Sequence, residues 1–343
     1  MKLSTILTAA SLLQCGTAQS ISNSGDTTLN GTFGYAGSHT LRYDTGSYGP
    51  SVEEYHYFYD QWPIGLAISK TGRVFTCYTR GTYAYTLGEV VNQTVEAAYP
   101  SLQLNTPPGG LYSESHGIQF GSSLQDYFIS VQALFITPDD TLWVLDTGRP
   151  TINESQAPSM PYAVSGGPKL VAINLSNNSV TRTYTFPSNV HYPDSYLNDV
   201  LYYSPLTSNT LYSVPTSYLL SNPSTSPIAS KLAMDNVHNL GQRGGNANGF
   251  ASDSLGNIYM LMPSSNAIYI WNSTISQAVP FVRDPRIIWP DSANVGFDGY
   301  IYWNVNQLPY QPNWNEGVDR RVKPGVMMRC KLPIGAGKNM NLG

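Results

Sequence analysis

Ala133-Leu134-Phe135-Ile136-Thr137-Pro138-Asp139-Asp140-Thr141-Leu142-Trp143 is the stretch on which the fold turns. An apolar run enters, Pro138-Asp139-Asp140 supplies turn chemistry, and an apolar-aromatic run leaves, which describes a hairpin of two short strands. The same order of residue types returns at Gly65-Leu66-Ala67-Ile68-Ser69-Lys70-Thr71-Gly72-Arg73-Val74-Phe75 and at Gly249-Phe250-Ala251-Ser252-Asp253-Ser254-Leu255-Gly256-Asn257-Ile258-Tyr259. A looser copy runs from Asp291 to Trp303. The turn positions, near Gly72, Asp140, Gly256 and Gly299, are spaced by 68, 116 and 43 residues. Dividing the chain beyond residue 18 by six gives about 54 residues per unit, the period of four short strands in a propeller blade. The reading is an all-β protein, a six-bladed β-propeller, in one domain over residues 19–343.

Outward from these hairpins, composition agrees. Of 343 residues only 12% are charged and the formal net charge is −4. That excludes a disordered tail, a coiled coil and a general nucleic-acid binder. The 25 tyrosines outnumber the 18 lysines and arginines, so the surface is polar through Ser, Thr, Asn and Tyr. No run of 12 or more residues sustains a helical period; Ser195–Tyr203 reaches at most one turn.

The first 18 residues read as a secretory leader, with Lys2, an apolar run from Leu3 to Leu13, and Gly16-Thr17-Ala18 as the cleavage site. The run is too short for a membrane span, so the expectation is a secreted protein without a membrane partner, a monomer. Residues 19–55, rich in Gly, Ser, Thr and Tyr, are expected to form an N-terminal arm packing on the propeller. Cys15 leaves with the leader, and the two remaining cysteines, Cys77 and Cys330, are expected to form a disulfide contributing roughly 2–4 kcal/mol. Asn-x-Ser/Thr sites at Asn30, Asn92, Asn153, Asn174, Asn177 and Asn272 are expected glycosylation positions.

The sequence holds no Gly-x-Ser-x-Gly elbow, His-Glu-x-x-His pair or Walker loop. Gly241-Gln242-Arg243-Gly244-Gly245-Asn246 is Gly-rich, but no helix pattern follows it to hold a phosphate. Its five histidines lack metal-ligand spacing, so no cofactor is expected. Asn198, Asn248 and Asp291 come from separate repeats and could converge on the axis, as calcium ligands of a lactonase-type propeller or as turn residues. Aromatics are the stronger signal. Phe250 and Trp303 with neighbouring amides suit a pocket for a small aromatic or apolar metabolite. Strand alternation puts Trp303 and Val305 on one face and Asn304 and Asn306 on the other. His116, Asn198, Asn248, Phe250, Asp291, Trp303, Asn304 and Asn306 are the pocket candidates; catalytic residues stay unassigned.

Leu142-Trp143-Val144-Leu145-Asp146-Thr147-Gly148, Pro168-Lys169-Leu170-Val171, Tyr196-Leu197-Asn198-Asp199-Val200, Ile288-Trp289-Pro290-Asp291, Gly299-Tyr300-Ile301-Tyr302-Trp303 and Asn306-Gln307-Leu308 resemble, in that order, segments of the major royal jelly protein/yellow family. The resemblance implies a six-bladed propeller, secretion and a small-molecule pocket on the axis. It does not imply one activity. Family branches bind biogenic amines or act on pigment precursors. Similar fungal propellers are the hetero-Diels–Alderases that couple a tropolone ortho-quinone methide to a humulene-type sesquiterpene. Such chemistry needs apolar partners held in a near-attack pose and a donor on the heterodiene carbonyl, without nucleophile or metal.

Overall fold

The computed structural model describes residues 46–80, 84–108, 124–150, 163–187, 209–215, 218, 228–272, 274–333 and 336–337. Strands dominate. After β1 (Glu53–Phe58), strands β2 (Pro63–Ile68), β3 (Val74–Tyr78), β4 (Leu87–Asn92) and β5 (Val95–Ala98) form an antiparallel sheet in chain order. Strands β6 (Val131–Ile136), β7 (Thr141–Thr147), β8 (Pro168–Asn174) and β9 (Ser179–Thr185) form the next. A two-stranded sheet, β10 (Thr210–Ser213) and β11 (His238–Gln242), precedes β12 (Phe250–Ser252), β13 (Ile258–Met262), β14 (Ala267–Asn272) and β15 (Gln277–Arg283). Strands β16 (Pro290–Val295), β17 (Tyr300–Val305) and β18 (Gly325–Lys331) complete a sheet with β1 on its outer edge. Two short helices, α1 (Leu102–Asn105) and α2 (Ala229–Asp235), lie between sheets in the chain.

The repeated sequence pattern is the first hairpin of each four-stranded sheet. Ile68 pairs with Val74, Ile136 with Leu142, Ser252 with Ile258 and Val295 with Ile301, so each loop spans five residues. The fourth loop residue is left-handed every time: Gly72 (φ +80°), Asp140 (+61°), Gly256 (+81°) and Gly299 (+81°). Glycine meets that requirement without a Cβ penalty, and aspartate is among the few other residues that tolerate it.

Inner strands β12, β16, β2 and β6 stand side by side in that order. Leu66 donates its N–H to Ser292 Oγ (3.3 Å), and Gly65 lies against the Gln132 carbonyl and Ala133 Cα. The five-residue loops therefore share one end of the ring, and the starts of the inner strands share the other. Apolar side chains fill the wedges between neighbouring sheets. Phe75, Cys77 and Leu87 meet Ile136, Val144 and Ile173; Phe58, Leu66 and Tyr78 meet Tyr302 and Met327. Tyr259, Leu261 and Ile268 meet Ile301, Trp303 and Cys330. This is a β-propeller, and the first described strand, β1, joins the last described sheet. Four four-stranded sheets and one two-stranded sheet lie among the described residues.

In the segment read as an arm, Tyr48 exchanges backbone hydrogen bonds with Arg283 (3.0 and 2.9 Å), and Glu53 opens β1. Arg329 locks the closure. Its guanidinium pairs with Glu53 (2.9 Å) and lies over the rings of Tyr300 and Tyr55 at 4.3 and 5.1 Å.

One expectation is corrected. No disulfide joins Cys77 to Cys330. Both are fully buried, Cys77 in the wedge between the β2–β5 and β6–β9 sheets and Cys330 in the wedge facing β12–β15. A third core, built on Phe58 and Tyr302, separates those wedges, whereas a disulfide needs Cα atoms about 4.4–6.8 Å apart. Burial raises the Cys330 thiol to about 12, so it stays protonated and inert. No helix among the described residues is long and apolar enough to cross a membrane.

Candidate functional site

At the end of the ring opposite the five-residue loops, three of the sequence candidates meet. β16 begins at Pro290, so Asp291 stands at its mouth; β17 ends at Val305, which pairs with Pro290 and delivers Asn306 beside it. Asn306 Nδ2 donates to Asp291 Oδ2 (2.7 Å), while Asn306 Oδ1 accepts from the Leu308 N–H (3.0 Å). Asn248 Nδ2 donates to Asp291 Oδ1 from the neighbouring sheet. Gly249 makes that approach possible, because a Cβ there would sit 2.4 Å from the Asp291 carbonyl oxygen. Both oxygens of the carboxylate thus accept an amide N–H. Asn306 is buried, Asn248 and Asp291 half-buried.

The backbone leading into this cluster is strained. Trp289 adopts φ +56° and Gln307 φ +54°, left-handed values that cost about 1–3 kcal/mol for such residues. They are held by mutual hydrogen bonds: Asn306 N–H to the Trp289 carbonyl (3.3 Å) and Gln307 N–H to the Ile288 carbonyl (3.2 Å). The Gln307 side chain is in turn clamped by Val322 through two 2.9 Å bonds. The Trp289 indole Nε1 is buried with no acceptor among the described residues. Such a donor is where a ligand oxygen or a water belongs.

The other candidates lie elsewhere. Phe250 packs in the wedge toward β10–β11, under the Arg243 guanidinium at 5.8 Å. Trp303 and Asn304 are fully buried on opposite faces of β17, in the alternation their spacing suggests. Trp303 belongs to the core facing β12–β15, and Asn304 Nδ2 donates across to the Gly65 carbonyl (3.2 Å). His116 and Asn198 lie outside the described residues. Asn248 and Asn306 turn amide nitrogens, not oxygens, toward Asp291, so this trio as arranged does not offer a cation a set of oxygens. No group of three or more His, Cys, Asp or Glu suited to a metal occurs among the described residues.

Sequence reasoning missed a buried ionic cluster at the same end. Asp146, at the end of β7, accepts from the backbone N–H groups of Ile129 (2.7 Å), Ser130 (2.9 Å) and Gly148 (2.8 Å) and from Lys169 Nζ (2.9 Å). Arg80 donates to the Ile129, Phe128 and Asn105 carbonyls, with Nη1 left without an acceptor. All three side chains are buried. Burial lowers the Lys169 ammonium and Arg80, the latter to about 10, and the Asp146 carboxylate opposes both shifts. Asp146 and Lys169 stand inside the family-like segments; Arg80, between Thr79 and Gly81, carries no local signal.

The fold and this end of it define a β-propeller with, at the mouth between two neighbouring sheets, a carboxylate framed by amides. The sequence pattern of the major royal jelly protein family matches residues 129–200 and 194–311, more than half of the chain, and the protein belongs to that family. No curated protein matches the chain. Among solved structures it is similar to a streptogramin B lyase (11% identity, 82% of this chain and 98% of that one, TM-score 0.40). A luciferin-regenerating enzyme (13%, 84% and 97%, TM-score 0.39) and a gluconolactonase from Xanthomonas campestris (12%, 79% and 72%, TM-score 0.34) are also similar. At these scores the likenesses say nothing about chemistry.

Proposed function

We propose that this is a secreted protein that binds a neutral aromatic or terpenoid metabolite at the end of the propeller bearing Asn248, Asp291 and Asn306. One observation carries the reading. Both Asp291 oxygens are already occupied by amide donors, so the acid there acts as a frame for polar edges and not as an open negative charge. The Trp289 indole N–H, two residues away and without an acceptor among the described residues, suits a ligand carbonyl. The leader-like residues 1–18 and the low charge content agree with an exported protein handling an uncharged guest.

The finer reading is an intermolecular hetero-Diels–Alder coupling of a tropolone ortho-quinone methide with a humulene-type alkene. Two σ bonds form, one C–C and one C–O, as three π bonds become one; no atom leaves and no proton moves. The protein's share is ordering two partners and donating a hydrogen bond to the heterodiene oxygen, effects worth several kcal/mol together. Incubating purified protein with a quinone-methide precursor and humulene tests it. Adduct yield and stereochemistry are expected to exceed the buffer control and to fall in Trp289→Phe. Values equal to the control reject catalysis.

A non-catalytic binder of amines is the second reading, favoured by the presence of any carboxylate at this mouth. Calorimetry with dopamine, serotonin and octopamine separates the two, because a carrier gives stoichiometric heat without turnover.

A further inference from the structure

The described Asn-x-Ser/Thr sites occupy corresponding places in the fold. Asn92 lies at the β4–β5 hairpin, Asn174 and Asn177 at β8–β9, and Asn272 at β14–β15. These are the hairpins between the third and fourth strands of their sheets. The remaining four-stranded sheet has no such hairpin, because its third and fourth strands, β18 and β1, come from opposite ends of the chain. Every third hairpin of a four-stranded sheet thus bears a site.

Geometry at the four asparagines is alike. Asn92 Oδ1 accepts from the Thr94 N–H (2.9 Å), Asn174 Oδ1 from Ser176 (2.8 Å), Asn177 Oδ1 from Ser179 (3.1 Å) and Asn272 Oδ1 from Thr274 (3.0 Å). In each the amide oxygen is held by the N–H two residues on, and Nδ2 has no acceptor among the described residues. Antiparallel pairing puts these hairpins at the end of the five-residue loops: Arg73, in the β2–β3 loop, donates to the Leu175 carbonyl (2.8 Å) and Asn178 Oδ1 (3.0 Å).

A second observation comes from the side chains next to the sites. Val91 (61% exposed) and Val95 (46%) flank Asn92, Val180 (39%) follows Ser179, and Ile275 (50%) follows Thr274. They sit on or beside β5, β9 and β15, the outer strands of their sheets. Apolar residues on open sheet edges invite association, and charges, which usually prevent it, make up only 12% of this chain.

We propose that Asn92, Asn177 and Asn272 carry N-linked glycans that crown one end of the propeller, covering these edges and leaving the Asp291 end bare. Asn174 and Asn177 are three residues apart and compete, and of the two Asn177 is exposed whereas Asn174 is half-buried beside the buried Leu175; Asn272, also half-buried, has no such competitor. The donor is an oligosaccharide on a lipid pyrophosphate. Nδ2 forms a C–N bond to the anomeric carbon, the sugar–phosphate C–O bond breaks, the lipid pyrophosphate leaves, and the amide gives up one proton. Asn30 and Asn153 lie outside the described residues.

The test is peptide mapping of the full chain, expressed with its own leader in a eukaryotic secretory host and deglycosylated enzymatically in heavy-oxygen water. Isotope label is expected at Asn92, Asn177 and Asn272. Label at one of them or none, whether the chain is exported or retained, overturns the proposal. Thr94→Ala, Ser179→Ala and Thr274→Ala keep the asparagines and should each remove one glycan mass. The triple variant should self-associate in light scattering while still folding by circular dichroism. A triple variant as monodisperse as the parent removes the shielding role. Metabolite binding at the Asp291 end is a separate readout, so failure there leaves the glycan result intact.

Discussion

At one end of the propeller four five-residue loops repeat a single backbone geometry; at the other, Asp146 and Asp291 each tie together separate strands and loops. The loop end is local. A residue in the left-handed region and a donor-acceptor pair within five positions suffice, as in Gly256 N–H to the Asp253 carbonyl (3.0 Å) and Gly72 N–H to the Ser69 carbonyl (3.0 Å). The mouth end is assembled from distance. Asn248 and Asp291 are brought together across two sheets, and Lys169 reaches Asp146 from the next strand. Local geometry tolerates many sequences. Buried charge does not, because its solvation must be replaced by specific partners.

The largest expected effect lies at the mouth. Asp146→Ala leaves Lys169 and Arg80 buried without their counter-charge and should cost about 3–5 kcal/mol, read by chemical unfolding. An Asp146→Leu, Lys169→Met double variant should recover much of that loss, since it removes the charge along with its partner. If the single variant costs less than about 1 kcal/mol, the contrast between the two ends fails.

Next comes Asp253, a fully buried carboxylate at the loop end. Burial by itself would raise it, yet donors from Asn257, Leu255 and Tyr259 outweigh that and hold it below the usual carboxylate range. A depressed folded-state value means its contribution is present above the unfolded value near pH 4 and is lost as pH falls through the folded one. Asp253→Ala should cost about 2–3 kcal/mol at neutral pH, and its unfolding free energy should lose part of the acid-side slope seen in the parent.

Smaller still is the backbone term. Gly256→Ala meets nothing within 4 Å, so its cost is conformational, about 1–2 kcal/mol by thermal unfolding. Asp140→Gly, at the equivalent position, should stay within about 0.5 kcal/mol of the parent. Asp291→Asn, at a half-buried position, belongs with these small terms and is expected to shift unfolding by under about 1 kcal/mol. The same variant should weaken metabolite binding measurably by calorimetry, which would separate a functional mouth from a structural one.

Legibility follows the same division. Gly72, Asp140, Gly256 and Gly299 stood out as turn positions because a left-handed residue between two apolar runs leaves a local mark. Asn248, Asp291 and Asn306 were legible as candidates by residue type and repeat position, although their mutual bonding was not. Phe250 and Trp303 read equally well as pocket or wedge, since an aromatic at strand spacing looks the same in both. Arg80 left no pattern, its partners being backbone carbonyls near residues 105 and 128. The cysteine pairing misled because counting thiols is blind to which side of a sheet each one faces.

What the chain determined unaided was its hairpins, their shared loop geometry and hence the blade as a unit, because those depend on neighbours a few residues apart. Which wedge holds Cys77 or Cys330, which amides reach Asp291, and which end of the ring carries the asparagines of the third hairpins were decided only when the sheets came together around the axis. Contacts across hundreds of residues have no period to read; they exist once packing has brought distant strand ends to the same place.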